Sequence, residues 1–161
     1  MDELTEPTST RPDLHIETEG EFKGWRTWRR DNFETHNGPF WHRREDDGRI
    51  RCAFRVEKKH LNGSSNVHGG AFMAFADYCL FAIAGSVLHG PAVTVSFGCE
   101  FLDAAREGEL VEGSGEITRA GASMIFLRGL LKSGERPLFS FSGSIKRVKR
   151  RSLPVPSNDA R

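Results

Sequence analysis

Hydrophobic and polar residues alternate over several segments of the chain, and this alternation predicts β-strands. The first two segments, 39–44 and 49–57, flank the residues Glu-Asp-Asp-Gly at 45–48, which predict a hairpin turn. The alternation returns at 93–101. Three later segments follow the same pattern, near 109–119, 123–132 and 138–148. A turn at 133–137 separates the last two.

One long apolar segment, 69–88, lies between the two groups of strands. Asp77 is its only charged side chain, and His89-Gly90-Pro91 ends it. The segment is long enough to raise the question of a membrane span. However, charged strands on both sides and Asp77 near its middle favour a helix buried inside a protein. We therefore expect no association with a membrane.

A second, shorter helix is predicted at 21–30, where Phe22, Trp25 and Trp28 recur every three residues. The order of elements is then a helix, two strands, a long buried helix and a run of strands. This order predicts an α+β protein in which an antiparallel sheet wraps around the long central helix.

Length and composition fit a single domain, because the chain has 161 residues, 37% of them hydrophobic and 28% charged. Residues 1–18 are polar and rich in Pro and Thr, which predicts a disordered tail. The domain is expected over 19–151, with a flexible tail at 152–161. The N-terminal sequence lacks the basic and apolar regions of a secretory signal, which predicts a cytoplasmic protein.

Charge and ligand spacing argue against several classes of partner. The net charge of +1 gives no reason to expect binding to nucleic acid. The six histidines and three cysteines show no spacing typical of a metal site. We therefore expect no nucleic acid, no metal and no cofactor.

The candidate catalytic residues lie in the long apolar segment and just before it. A lone carboxylate among apolar residues is costly to keep charged. We therefore expect Asp77 to have either a bonding partner or a catalytic function. His68-Gly69-Gly70 stands at the predicted helix start, where backbone N–H groups can approach a ligand. Together they indicate a catalytic site.

These residues also carry a family resemblance. Asn62, then His68-Gly69-Gly70, then Asp77 nine residues after the histidine, and Thr94 in the next strand form a known pattern. In this pattern the chain resembles the hotdog-fold acyl-CoA thioesterases, of the type that includes phenylacetyl-CoA and hydroxybenzoyl-CoA thioesterases. The resemblance covers about residues 20–150. One departure is Asp103-Ala104-Ala105, where such chains often carry a proline.

The resemblance implies hydrolysis of a CoA thioester at the interface of a homodimer or homotetramer. The Gly69 N–H would bind the oxyanion, and Asp77 would be the nucleophile or the general base. Thr94 would hold the carboxylate or the water, and Asn62 would orient water or the thioester. His68 would fix the helix start. Structural alternatives stay open: Asn62 as a turn residue, Thr94 as an ordinary strand residue, and Asp77 as the partner of a distant group.

The spacing along the helix adds an independent constraint. Gly69 and Asp77 are eight residues apart, which on one helix is about 12 Å along the axis. They cannot both reach one carbonyl carbon from the same helix. If both act, Asp77 must come from a second copy of the chain, which predicts a two-fold dimer.

Substrate contacts are less specific in the sequence. Arg119, Lys146 and Arg147 could bind the CoA phosphates, or could lie at solvated strand ends. Gly70 is a further candidate for substrate binding. Phe72, Phe75 and Trp41 could line the acyl pocket, or they could belong to the core. A non-catalytic hotdog module that binds acyl-CoA is the alternative function. A hotdog dehydratase or hydratase is a third, but its different His/acid arrangement is not found.

Overall fold

The computed structural model describes residues 13–149, which form one antiparallel sheet around one long helix. The strands are β1 (Leu14–Ile16), β2 (Arg26–Trp28), β3 (Trp41–Arg44), β4 (Ile50–Arg55), β5 (Ala92–Phe101), β6 (Leu110–Ala120), β7 (Met124–Ser133) and β8 (Arg136–Arg147). The helices are α1 (Phe33–Asn37) and α2 (Gly69–Ala84), with a 3₁₀ turn at Lys58–His60. The strand order is β1-β2-β3-β4-β6-β7-β8-β5, and paired neighbours are antiparallel. The predicted α+β architecture is confirmed.

The helix α2 forms the centre of the core. After Gly70 it contains neither Gly nor Pro, and its inward side chains pack against the sheet. Its buried residues are Phe72, Phe75, Ala76, Tyr78, Cys79, Leu80, Ala82, Ile83 and Ala84. Burial of each large apolar side chain contributes about 1.5–3 kcal/mol. No helix within residues 13–149 has the length and apolar character needed to span a bilayer.

The C-terminal end of α2 differs from the prediction. The helix ends at Ala84 and not at Leu88. The N–H groups of Val87 and Leu88 both donate to the Ala84 carbonyl, so a turn follows the helix. The poor helix propensity of Gly85 accounts for the earlier end.

Two strand glycines set how closely α2 approaches the sheet. A Cβ atom at Gly113 would lie 2.6 Å from Cys79 Sγ, and one at Gly143 would lie 2.6 Å from Leu80 Cδ1. Larger side chains here would force α2 away from the sheet, and overpacking of this kind costs about 1–3 kcal/mol. The two glycines therefore keep the core closely packed.

The last strand in the sheet, β5, pairs only with β8 among the described residues. Its other edge is open, and it carries exposed apolar side chains at Val93, Val95 and Phe101. The pairing shifts between Thr94 and Ser96, so β5 contains a β-bulge with Val95 as the extra residue. The bulge places Thr94 opposite Ile145, which is fully buried on the face that contacts α2.

Two predictions for the N-terminal part are corrected. Leu14–Ile16 is a strand, although the sequence predicted a disordered tail as far as residue 18. Residues 21–30 form no helix, because turns with positive φ at Gly20 and Gly24 lead into the strand β2. The aromatic residues of this segment still pack on the domain, since Trp25 contacts Phe22 and lies in one buried cluster with Trp41. The segments 1–12 and 150–161 lie outside the described residues.

Candidate active site

Asp77 and Thr94 form a pair that joins α2 to the edge strand. The Thr94 hydroxyl donates to Asp77 Oδ1 over 2.6 Å, and both residues are half-buried. Asp77 Oδ2 accepts no hydrogen bond from any residue of 13–149. One carboxylate oxygen is therefore held in place, while the other is available to a ligand or water.

The start of α2 supplies backbone donors at a fixed position. The His68 side chain caps the helix, because its Nδ1 accepts the Gly70 N–H over 2.8 Å. This contact holds the start of α2 in place, which is the role that the resemblance implies for His68. The N–H of Gly69 donates to no acceptor within residues 13–149, whereas that of Gly70 is used by the cap. Gly69 is thus the donor open to a substrate oxygen.

The Phe101 ring limits the side chain that position 69 can carry. A Cβ atom at Gly69 would lie 2.9 Å from Phe101 Cε1. Glycine therefore leaves room for this ring beside the Gly69 backbone. The strand β5 consequently contacts both candidate catalytic groups, with Phe101 at Gly69 and Thr94 at Asp77.

Asn62 stabilises its own loop. Its Oδ1 accepts the N–H groups of Ser64 (2.9 Å) and Asn66 (3.2 Å), and its side chain is exposed. This agrees with the turn interpretation of Asn62-Gly63. Within residues 13–149, Asn62 forms no hydrogen bond with Gly69 or Asp77.

The predicted basic residues lie near the end of the sheet that carries Thr94. Lys146 is paired with Val93 and is exposed, and Arg119 is exposed at the end of β6. Arg147 is different, since its guanidinium donates to the carbonyls of Gly121, Ala122 and Val87. These contacts fix the end of α2 to the sheet, so Arg147 has a structural role.

The aromatic residues predicted for the acyl pocket belong to the core. Phe72 and Phe75 are 2% and 0% exposed, and Trp41 packs in a separate cluster with Trp25. The prediction of Phe72 as a substrate contact is therefore corrected, because its ring packs against Phe139. Gly70 is exposed next to the helix cap.

Sequence reasoning missed a buried polar cluster next to Asp77 on α2. Tyr78 is 2% exposed, and its hydroxyl lies 2.6 Å from His42 Nδ1 and forms a further hydrogen bond with Thr27. Trp28 stacks on the His42 ring at 4.7 Å. Burial, with a smaller contribution from Arg26, lowers the pKa of His42 to about 4. His42 is therefore neutral near pH 7 and shares a hydrogen bond with the protonated Tyr78 hydroxyl.

This cluster makes stability depend on pH. The pKa of His42 falls from 6.5 in the unfolded chain to about 4 in the folded one. The contribution of neutral His42 to the free energy of unfolding is therefore complete above pH 6.5 and is lost as the pH falls towards 4. Between pH 7 and about pH 4.5, wild type should lose about 2–3 kcal/mol more free energy of unfolding than His42→Gln. Urea unfolding checks this. A difference between the two proteins that does not change with pH would contradict it.

Two cavities lie near the sheet. A groove of about 1060 Å³ is lined by charged strand residues such as Arg51, Glu112 and Arg128, and contains none of the candidate site residues. A smaller cavity of about 330 Å³ lies beside α1. Within residues 13–149, no group of three or more His, Cys, Asp or Glu side chains is arranged to hold a metal ion.

Comparison with known proteins places this geometry in a family. Residues 65–140 match the thioesterase superfamily. The chain is 35% identical over 108 residues to the candidate esterase PA0474 of Pseudomonas aeruginosa, a match that covers 66% of this chain and 81% of the relative. The chain belongs to the thioesterase superfamily, which makes it a hydrolase of the thioester or ester type.

Solved structures share the architecture. A hypothetical thioesterase of Streptococcus pneumoniae with coenzyme A has a TM-score of 0.62 and 20% identity, over 70% of this chain and 88% of that one. The PaaI protein of the Escherichia coli phenylacetic acid degradation operon has a TM-score of 0.57 and 21% identity, over 62% of this chain and 72% of that one. The predicted hotdog fold is thereby confirmed.

Proposed function

We propose that this protein is an acyl-CoA thioesterase that hydrolyses a CoA thioester to a free acid and CoA, and that it acts as a homodimer or as a homotetramer of such dimers. The observation that carries the proposal is Asp77, a half-buried carboxylate held through one oxygen by Thr94. Family membership and the structural similarity to a thioesterase with coenzyme A support the substrate class.

Hydrolysis of a thioester needs one group that stabilises the oxyanion. It needs a second group that attacks the carbonyl carbon or activates the water that attacks it. The Gly69 N–H, at the positive end of the α2 dipole, binds the thioester oxygen as negative charge develops on it. Asp77 attacks the carbonyl carbon directly or removes a proton from water that attacks it. Thr94 keeps the carboxylate oriented in either case.

Two features support a shared site between subunits. Gly69 and Asp77 are about 12 Å apart along one helix, so one subunit cannot supply both to one carbonyl. The open edge of β5 carries exposed Val93 and Val95, and an unpaired apolar edge is favourable for pairing with a second copy. A two-fold pairing would bring Gly69 of one subunit near Asp77 of the other.

The basic residues at the Thr94 end of the sheet are proposed to bind CoA. Lys146 and Arg119 are exposed there, and their positive charge would attract the nucleotide phosphates. Arg147 is left out of this role, because backbone carbonyls occupy its guanidinium.

The proposal is tested by release of free thiol from a panel of aromatic, short-chain and medium-chain acyl-CoAs. We expect catalytic turnover of at least one class, with no added metal or cofactor. CoA itself should inhibit competitively.

One outcome would favour the alternative function. If the protein binds acyl-CoAs tightly by calorimetry but releases no thiol from any member of the panel, a non-catalytic acyl-CoA-binding hotdog module is the better description.

A further inference from the structure

One exposed apolar side chain lies between the two candidate catalytic groups of α2. Met73 is four residues after Gly69 and four residues before Asp77, so the three lie on one side of the helix. The helical rise places Met73 about 6 Å along the axis from each of the other two. Met73 is 42% exposed, whereas its neighbours Phe72 and Phe75 are buried in the core. The side of α2 that carries Gly69 and Asp77 therefore has an exposed thioether at its centre.

Most of the exposed large apolar side chains belong to α2 and to the edge strand beside it. Within residues 13–149, those on α2, on β5 or directly after β5 are Met73, Val93, Val95, Phe101 and Leu102. The strand β5 packs along α2, since Thr94 bonds to Asp77 and the Phe101 ring borders Gly69. Exposed apolar groups on two adjacent elements, one of them an open strand edge, are typical of a surface that another chain covers.

The spacing along α2 favours a second copy of this chain as that partner. Gly69 and Asp77 can act on one carbonyl only if they come from two copies of the helix. A two-fold axis perpendicular to α2 makes the two copies antiparallel. If Gly69 is level with Asp77 of the partner subunit, the axis passes midway between these two positions. The midpoint is Met73.

We infer that Met73 lies on the two-fold axis of the dimer, where its side chain packs against Met73 of the partner subunit and sets the distance between the two copies of α2. The inference rests on the proposed function and deepens it, because this distance also determines how far the Gly69 N–H lies from Asp77 of the partner subunit. Met73 is thereby a positioning residue for both sites. Its unbranched side chain suits this place, since methionine adapts to irregular gaps between packed elements.

The first test is cross-linking, which needs no substrate. Two helices in contact have axes about 8–10 Å apart, so thiols introduced on the two-fold axis by Met73→Cys lie within reach of each other. Diamide takes up the two hydrogens as the disulfide forms. It should convert most of the Met73→Cys protein to a covalent dimer on a non-reducing gel.

Ser86→Cys is the matched control for cross-linking. Ser86 is exposed just after the end of α2, and two copies of it would lie roughly 30 Å or more apart. This variant should give no covalent dimer, and wild type controls for its three native cysteines. A Met73→Cys protein that is dimeric by light scattering but forms no covalent dimer would overturn the inference. Equal cross-linking of Ser86→Cys, or a monomeric wild type, would also overturn it.

The second test places a charge at the axis. Met73→Glu brings two carboxylates together in an apolar contact, so light scattering should report the mass of a single chain and activity should be lost with the dimer. Phe126→Glu, on β7, is the control, because Phe126 is also 42% exposed, and this variant should keep the dimer. A Met73→Glu protein that keeps the wild-type mass would contradict the position on the axis.

The third test measures the positioning role by kinetics. Met73→Ala shortens the side chain between the helices, so kcat should fall about tenfold to a hundredfold while KM changes little. Met73→Leu nearly conserves the volume and should restore most of kcat. Unchanged kcat in a dimeric Met73→Ala protein would overturn the positioning role, as would an equal loss in both variants.

These outcomes separate the inference from the proposed function. If wild type hydrolyses no acyl-CoA, the proposed function is rejected, and cross-linking still decides the position of Met73. If wild type hydrolyses acyl-CoA but the dimeric Met73→Cys protein forms no covalent dimer, the inference alone fails.

Discussion

Asp77→Asn is expected to lower kcat/KM for acyl-CoA hydrolysis by about a thousandfold. Asparagine has nearly the same shape and can still accept the hydrogen bond that Thr94 donates over 2.6 Å. It cannot act as a nucleophile, and it cannot accept a proton from water. Loss of a positioned base or nucleophile typically costs about 10²–10⁴-fold in rate. Thiol release, with wild type beside the variant, measures the effect.

Two further variants show whether the effect belongs to the site. Asp46→Asn, in the exposed β3–β4 turn, removes the same charge elsewhere and should leave activity unchanged. Thr94→Val removes the hydroxyl that holds Asp77 and should give an intermediate loss. Equal activity of Asp77→Asn and Asp46→Asn, with both proteins folded, would remove Asp77 from the mechanism.

The long helix and the hairpin could be predicted because their signals are local. The α2 segment contains a continuous apolar run with one acid, and the β3–β4 turn contains Gly48 in the left-handed region that glycine favours. The lone Asp77 is equally local, since its apolar neighbours in sequence are also its neighbours on the helix. The end of α2 at Ala84 could not be predicted in the same way. It depends on the low helix propensity of Gly85, and the apolar pattern continues past this residue.

The orientation of Thr94 was not predictable from the same pattern. Strict alternation in 93–101 places Thr94 on the polar face, opposite Phe97 and Cys99. The β-bulge at Val95 shifts the pairing by one residue, so Thr94 turns towards α2 and meets Asp77. No residue type in this stretch signals the bulge, because Val95 is itself an ordinary strand residue.

The N-terminal elements depended on contacts between distant parts of the chain. Tyr78 and His42 are 36 positions apart, and their hydrogen bond is visible only after β3 packs on α2. The aromatic spacing predicts a helix at Trp28, although edge pairing of β2 with β1 and β3 determines its structure.

Mixing two inactive variants should restore activity if each site is shared between subunits. Gly69→Val places a branched side chain where an added Cβ would lie 2.9 Å from Phe101 Cε1, so we expect it to block access to the backbone N–H at position 69. Loss of an oxyanion donor lowers the rate by about 10²–10³-fold. In a heterodimer of Gly69→Val and Asp77→Asn, one site carries both defects and the other carries neither. Equal co-expression should therefore recover about a quarter of wild-type activity.

The matched control uses two defects in the same half of the site. Thr94 and Asp77 are hydrogen-bonded within one subunit, so a heterodimer of Thr94→Val and Asp77→Asn contains no intact site. Its activity should stay at the average of its two parents. If the Gly69→Val and Asp77→Asn mixture also stays at the average of its parents, although mass spectrometry shows heterodimers, each site is built within one chain. Gly69 and Asp77 would then not act on the same carbonyl, because about 12 Å of helix separates them.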